Sequence, residues 1–115
     1  MRCCFTPIPY IVKFISARSS VGKTTVASFI LRELKTRGFK VGIVKHAASP
    51  VVLEERDSKR YLECGADIVV SSRNLAVIYL KNHRDILEDA VTYLQTPVVI
   101  VEGFRESRLG DTVLV

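Results

Sequence analysis

A run of small residues followed by a lysine and two threonines is the part of this sequence best suited to chemistry. Residues 17–25 read ARSSVGKTT, and the stretch from Ala17 to Thr24 fits the pattern A/G-x-x-x-x-G-K-S/T. In that pattern the backbone N–H groups of a tight loop surround a phosphate, and the positive end of the following helix points at it. The residue types at these positions therefore predict a nucleotide-phosphate site.

The residues that end this loop have separate roles in the prediction. The backbone at Gly22 comes close to the phosphate, and the Lys23 ammonium group reaches the β and γ phosphates. The Thr24 hydroxyl is expected to ligate Mg²⁺, and Thr25 is expected to contact the α-phosphate. The predicted nucleotide-binding set is completed by Ser19, Ser20 and Val21.

A second candidate lies after the apolar stretch at residues 98–101, where Glu102 and Gly103 follow at once. We expect the Glu102 carboxylate to hold a magnesium-bound water and the Gly103 N–H to contact the γ-phosphate. The alternative is a carboxylate that only ends a strand. No residue is assigned to catalysis, because phosphoryl transfer also needs a group that aligns the nucleophile, and the sequence offers no clear candidate.

The segments that must position these residues alternate between strands and helices. The strands are predicted at 10–16, 41–44, 67–70, 76–80, 97–101 and 112–115. The helices are predicted at 23–37, 57–64 and 84–94, with Gly38 ending the first and Asp57 or Ser58 capping the second. Several of the strands are apolar throughout. This pattern predicts an α/β fold, a P-loop NTPase-like three-layer sandwich with a mostly parallel sheet, an antiparallel element at 67–80, and helices on both faces.

The length of 115 residues favours a single domain over residues 1–115. A formal net charge of +5, with its basic residues scattered, suits anionic partners such as phosphates and does not indicate nucleic acid. The three cysteines form no C-x-x-C pair, so no zinc site or disulfide framework is expected, which suits a reducing cytoplasm. No stretch reaches about 18 uninterrupted apolar residues, so no membrane span is expected.

Four blocks of the sequence resemble one known family, the molybdopterin-guanine dinucleotide biosynthesis adaptor protein B. The blocks are the loop core at 22–25, Lys45-His46 after the second strand, RDSKRYLECGADIVVSS at 56–72, and VEGFR at 101–105. They cover nearly the whole chain from Ile11 onward. The sequence departs from relatives at 47–49, where Ala-Ala-Ser replaces further histidines, and relatives continue past the position of Val115.

The resemblance implies a P-loop protein, usually dimeric, that binds GTP with Mg²⁺ and hydrolyses it slowly at most. It would assist a molybdopterin guanylyltransferase that attaches GMP to molybdopterin, by delivering nucleotide or cofactor, so that molybdopterin or its protein carriers are further expected partners. The resemblance also adds a role for Asp57 in holding magnesium or orienting water, beside its reading as a helix cap. Lys45 and His46 face either the phosphate or the pterin, or form an ordinary surface pair.

Two other classes of function remain open from the residues. One is an enzyme, either an ATPase of the partition and septum-positioning type or a small P-loop kinase, with ATP in place of GTP. Against the ATPase, an aspartate-rich segment after the second strand is missing, and Lys45-His46 stands there instead. Against the kinase, the chain has little room for an acceptor site and a lid. The other class is a shortened remnant that only pairs with itself or with a partner, against which the retained Lys23 and Thr24 argue.

Overall fold

The computed structural model describes residues 8–16, 22–52 and 55–115, which fall into two units. The first unit contains the described residues up to Ala47 together with 85–115, and the second contains the described residues of 48–84. The strands are β1 (Tyr10–Ile15), β2 (Val41–Lys45), β3 (Ile68–Ser72), β4 (Ala76–Leu80), β5 (Val98–Glu102) and β6 (Asp111–Leu114), and the helices are α1 (Lys23–Thr36), α2 (Arg56–Glu63) and α3 (Leu87–Val91). The expectation of one domain stays a prediction.

The first unit is built on a parallel sheet of four strands in the order β2-β5-β1-β6. Strand β5 lies between two neighbours, and Val99, Ile100 and Val101 are fully buried. Both faces of this strand are covered, so the side chains on both faces must be apolar, which explains the continuous apolar sequence.

Helices cover both faces of this sheet. On one face α1 packs through Ala27 against Phe14 and Ile100. On the other face Leu87 of α3 packs among the apolar side chains of β1, β2 and β5, namely Ile11, Val44, Val99 and Val101. The predicted α/β fold, with helices on either side of a mostly parallel sheet, is confirmed.

The second unit pairs α2 with the hairpin of β3 and β4. The two strands are antiparallel, with Ile68 opposite Leu80 and Ser72 opposite Ala76, so the predicted antiparallel element is confirmed. It forms a sheet of its own. Within the described residues no helix has the length and apolarity needed to cross a membrane.

The third helix is shorter than its sequence pattern predicts. It covers Leu87–Val91 instead of 84–94, because Ile86 is extended and the N–H groups of 92–94 bond to carbonyls three residues back. At the front, Asp85 is held by the His46 side chain at 2.8 Å, which keeps the residues before Ile86 out of the helix. A tertiary contact here outweighs local propensity.

The predicted cap of α2 is wrong. Glu55 is the N-cap residue, with no side-chain capping bond, while Asp57 lies in the first turn and Ser58 is buried. The Glu55 carboxylate instead accepts hydrogen bonds from the hydroxyls of Ser71 and Tyr79 on the hairpin. Asp57 still suits its position, since a carboxylate in the first turn interacts favourably with the helix dipole.

Lys13 is a buried charged residue in the middle of β1, only 1% exposed. Its ammonium group donates to the carbonyl of Phe104 at 3.2 Å and also to the carbonyl of Ser107. Both carbonyls belong to the β5–β6 loop, residues 103–110. Lys13 therefore ties that loop to the central strand of the unit.

We expect Lys13→Met to lower the free energy of unfolding by about 1–3 kcal/mol, because methionine fills the space but leaves the two carbonyls without their donor. Urea unfolding followed by circular dichroism would measure the change. Lys40→Met, at an exposed position, serves as the control. Equal unfolding midpoints for the two variants would contradict this role of Lys13.

Candidate nucleotide site

The carboxyl ends of three parallel strands bring the predicted site residues to one edge of the sheet. In the register of the strands, Glu102 at the end of β5 lies beside Phe14 of β1 and beside Lys45 of β2. From β1 the chain runs to β2, which lies on the β5 side of β1. From β5 it runs to β6, which lies on the other side of β1, so the two connections diverge at this edge. Open α/β sheets bind ligands at this edge.

Helix α1 begins at the same edge and presents an electropositive end. Its N-cap is Gly22, with φ of 81°, and no side chain caps the first turn. The first turn also lacks an acidic residue. Helix N-termini carry unpaired N–H groups and a partial positive charge, and both favour an anion. Among the described residues, the start of α1 thus has no side-chain cap and no acidic group in its own first turn, which suits a phosphate.

Thr24 and Glu102, which are 78 residues apart in sequence, meet in this site. The Thr24 hydroxyl donates to the Glu102 carboxylate at 2.8 Å, between the first turn of α1 and the end of β5. The sequence pattern predicted both residues as magnesium partners, and the fold brings them into direct contact.

These two side chains suit Mg²⁺ in their chemistry. A hydroxyl and a carboxylate are hard oxygen donors, and Mg²⁺ is usually held by one or two such groups together with waters and substrate phosphates. Across the described ranges no group of three His, Cys, Asp or Glu side chains gathers as a protein-only metal site. Thr24 and Glu102 would therefore hold the ion jointly with a bound nucleotide.

The segment after Glu102 passes close to the segment after β2. A Cβ atom on Gly103 would lie 2.9 Å from the His46 Cβ, and Gly103 has φ of 95°, so only glycine fits there without strain. The His46 N–H donates to the Glu102 carbonyl at 2.8 Å. The Gly103 N–H, predicted as a γ-phosphate contact, donates to the Phe14 carbonyl at 3.2 Å, so the γ-phosphate contact stays a prediction.

His46 is engaged on two sides. Its Nε2 lies 2.8 Å from a carboxylate oxygen of Asp85, and its ring packs on that of Phe104 with centroids 4.3 Å apart. These contacts make His46 a structural link between the end of β2, the segment that precedes α3, and the β5–β6 loop. Lys45 is exposed at the end of β2, and its role toward a phosphate or a pterin stays a prediction.

The second residue of the β5–β6 loop is strained. Phe104 has φ of 54°, a value that costs a side-chain-bearing residue about 1–2 kcal/mol. Its ring is held by His46 and its carbonyl by Lys13. Directly after it, Arg105 Nη1 donates to the Ser16 carbonyl at 2.7 Å. The surrounding side chains therefore hold the loop in a conformation that its own backbone does not favour.

The remaining predicted residues fall in different places. Ser19, Ser20 and Val21 lie outside the described residues. Lys23 is partly buried and Thr25 is exposed, both in the first turn of α1. Asp57 belongs to the second unit, whereas Gly22, Thr24 and Glu102 belong to the first. Nucleotide contacts for all of these residues stay predictions.

The sequence did not predict the contacts that three side chains make near this edge of the sheet. They are Lys13, Asp85 and Arg105. A lysine inside an otherwise apolar strand was the signal available for Lys13. Asp85 ended a stretch, 82–85, that imitates the guanine-reading motif of GTPases and was interpreted as coincidence, and nothing in the sequence indicated its contact with His46. Arg105 was noted only as the basic residue that follows Glu-Gly-Phe.

Comparison with known proteins agrees with this architecture. Crystal structures of MobB from Bacillus subtilis (22% identity, TM-score 0.68) and of a MobB homolog from Bacillus stearothermophilus (21% identity, TM-score 0.60) share the fold. So does a crystal structure of molybdopterin-guanine biosynthesis protein B (23% identity, TM-score 0.64). These alignments cover 90–92% of this chain and 63–67% of the other chains, so this chain spans about two thirds of their length.

No curated protein sequence matched the chain. In contrast, residues 11–115 match the family model described as MobB, molybdopterin guanine dinucleotide synthesis protein B. The match contains all four blocks that carried the resemblance, and the description names the synthesis of molybdopterin guanine dinucleotide. The chain therefore belongs to the molybdopterin guanine dinucleotide synthesis protein B family.

Proposed function

We propose that this chain is a GTP-binding adaptor that acts in the biosynthesis of molybdopterin guanine dinucleotide. It binds GTP with Mg²⁺, with ATP as the alternative nucleotide, and presents it to a molybdopterin guanylyltransferase. Family membership supports the pathway. The net charge of +5 and the first turn of α1, which has no acidic residue, support an anionic ligand.

One observation carries this proposal. The Thr24 hydroxyl and the Glu102 carboxylate lie 2.8 Å apart at the start of α1, where the helix end attracts phosphate and the two oxygens suit Mg²⁺. Lys23 precedes Thr24 on the same turn. An ordinary helix start would need neither a lysine followed by a hydroxyl nor a carboxylate from a distant strand.

The adaptor role rests on which parts of a phosphoryl-transfer site the described residues can supply. Catalysis needs a positioned metal, a lysine and a group that aligns the nucleophile. Thr24, Glu102 and Lys23 are the proposed sources of the first two, and we assign no described residue to the third role. We therefore propose slow hydrolysis at most, in a cytoplasmic protein that works as a homodimer.

Titration calorimetry with GTP, in Mg²⁺ and in EDTA, tests the site. Wild-type protein is expected to bind GTP more tightly in Mg²⁺. Glu102→Gln is expected to reduce that gain by roughly 10- to 100-fold, because the amide no longer carries the charge that orients a magnesium-bound water. The matched control is Glu106→Gln, which removes an exposed carboxylate from the adjacent loop.

An unchanged magnesium dependence in Glu102→Gln would remove Glu102 from the site. The absence of a binding signal for both GTP and ATP in wild-type protein would end the nucleotide proposal. Rapid ATP turnover would favour the ATPase or kinase. The adaptor role is tested by co-purification with a molybdopterin guanylyltransferase, with and without GTP, where failure to associate in either case would contradict it.

A further inference from the structure

The positively charged side chain of Arg105 lies at the edge of the sheet where the proposed nucleotide site is found. It follows Glu102 by three residues, and its Nη1 donates to the Ser16 carbonyl at 2.7 Å. Ser16 directly follows β1, the strand that is paired with β5 along its length. The Arg105 side chain therefore crosses from the continuation of β5 to the continuation of β1, at the edge where Thr24 meets Glu102.

The loop that carries Arg105 is held at several points. The Lys13 ammonium group binds the carbonyls of Phe104 and Ser107, and the His46 ring packs on Phe104. Phe104 is thereby kept at φ of 54°. Strained residues that their surroundings hold in place cluster at functional sites. Here the strained residue immediately precedes the arginine and helps to set the direction in which it leaves the backbone.

Arg105 also has binding capacity left. One N–H group is engaged by Ser16, and a guanidinium group carries several more in a planar fork that matches phosphate oxygens. Among the residues that the structure describes, Arg105 has no carboxylate partner in an ion pair. Its positive charge is therefore not neutralised by a neighbouring carboxylate there.

We infer that Arg105 is a further nucleotide-binding residue, one that contacts the terminal phosphate of a bound nucleoside triphosphate. This inference rests on the proposed function. Thr24 and Glu102 would hold Mg²⁺ together with the phosphates of the bound nucleotide. Arg105 lies at the same edge of the sheet as that pair, and a triphosphate offers its guanidinium fork one more anionic phosphate group than a diphosphate does. Arg105 would distinguish a triphosphate from a diphosphate.

The test compares the dissociation constants of GTP and GDP, both measured in Mg²⁺ by titration calorimetry. Arg105→Gln is expected to weaken GTP binding about tenfold, the effect of one charged hydrogen bond, while GDP binding changes little. Glutamine is two bonds shorter than arginine and loses the contact with the Ser16 carbonyl, so the affinity for GDP reports whether the loop and the rest of the site stay intact. Arg108→Gln, on the same loop and exposed, is the control and should leave both constants unchanged.

Equal effects of Arg105→Gln on GTP and GDP, or no effect on either, would overturn the inference. If Arg105→Gln does not fold, Arg105→Lys replaces it, because lysine keeps the charge and loses the fork. A lower ratio of GTP to GDP affinity in that variant supports the inference, and an unchanged ratio overturns it. Loss of both nucleotides in wild-type protein would instead refute the proposed function, so the two failures are distinguishable.

Discussion

Lys23→Ala is expected to weaken GTP binding by roughly 100-fold or more. A lysine at this position of a phosphate loop reaches both the β and the γ phosphate, and each charged hydrogen bond contributes about 1.5–3 kcal/mol. Losing two such bonds costs about 3 kcal/mol or more, which exceeds the effect expected for any other single substitution at the site. Titration calorimetry in Mg²⁺ would measure the change in the dissociation constant.

Lys35→Ala provides the matched control for this experiment. Lys35 lies in the last turn of α1, so the variant removes the same charge from the opposite end of the same helix. It should bind GTP as wild-type protein does and should melt at a similar temperature to Lys23→Ala. A Lys23→Ala variant that binds GTP within a few-fold of wild type would contradict the phosphate site.

Gly110→Ala is expected to lower the free energy of unfolding by about 2–5 kcal/mol, the largest effect on stability that the structure predicts. Gly110 has φ of 80°, a conformation that costs an alanine about 1–2 kcal/mol. A Cβ there would also lie 2.7 Å from the Ile11 carbonyl oxygen and 2.6 Å from its Cγ2. Relieving that clash means moving β1 or β6, which typically costs about 1–3 kcal/mol. Urea unfolding would measure the loss.

Gly38→Ala separates the two components of this effect. Gly38 has φ of 89°, yet a Cβ there would meet nothing within 4 Å. The variant should therefore show only the cost of the backbone conformation, about 1–2 kcal/mol. If Gly110→Ala and Gly38→Ala destabilise the protein equally, then β6 does not pack against β1 as closely as the structure shows.

The elements themselves were largely predictable because they depend on neighbours in sequence. The apolar run at 98–101 has no polar face, so it had to become a strand covered on both sides, and β5 is buried in that way. The helical spacing of apolar residues after Lys23 predicted α1, with Gly38 just beyond its end. Where a distant side chain intervened, as Asp85 with His46, the predicted helix was wrong in extent.

The loop pattern predicted its own chemistry from adjacent residues, because the phosphate contacts of Gly22, Lys23 and Thr24 arise from one turn of backbone. Their partner could be guessed only by residue type. Glu102 meets Thr24 because β5 inserts between β1 and β2, an order of strands that local periodicity does not encode. The same holds for Lys13 and Arg105, whose acceptors are backbone carbonyls that any sequence would supply. Such contacts are decided by which strands pair, and strand pairing is settled only when the whole sheet packs.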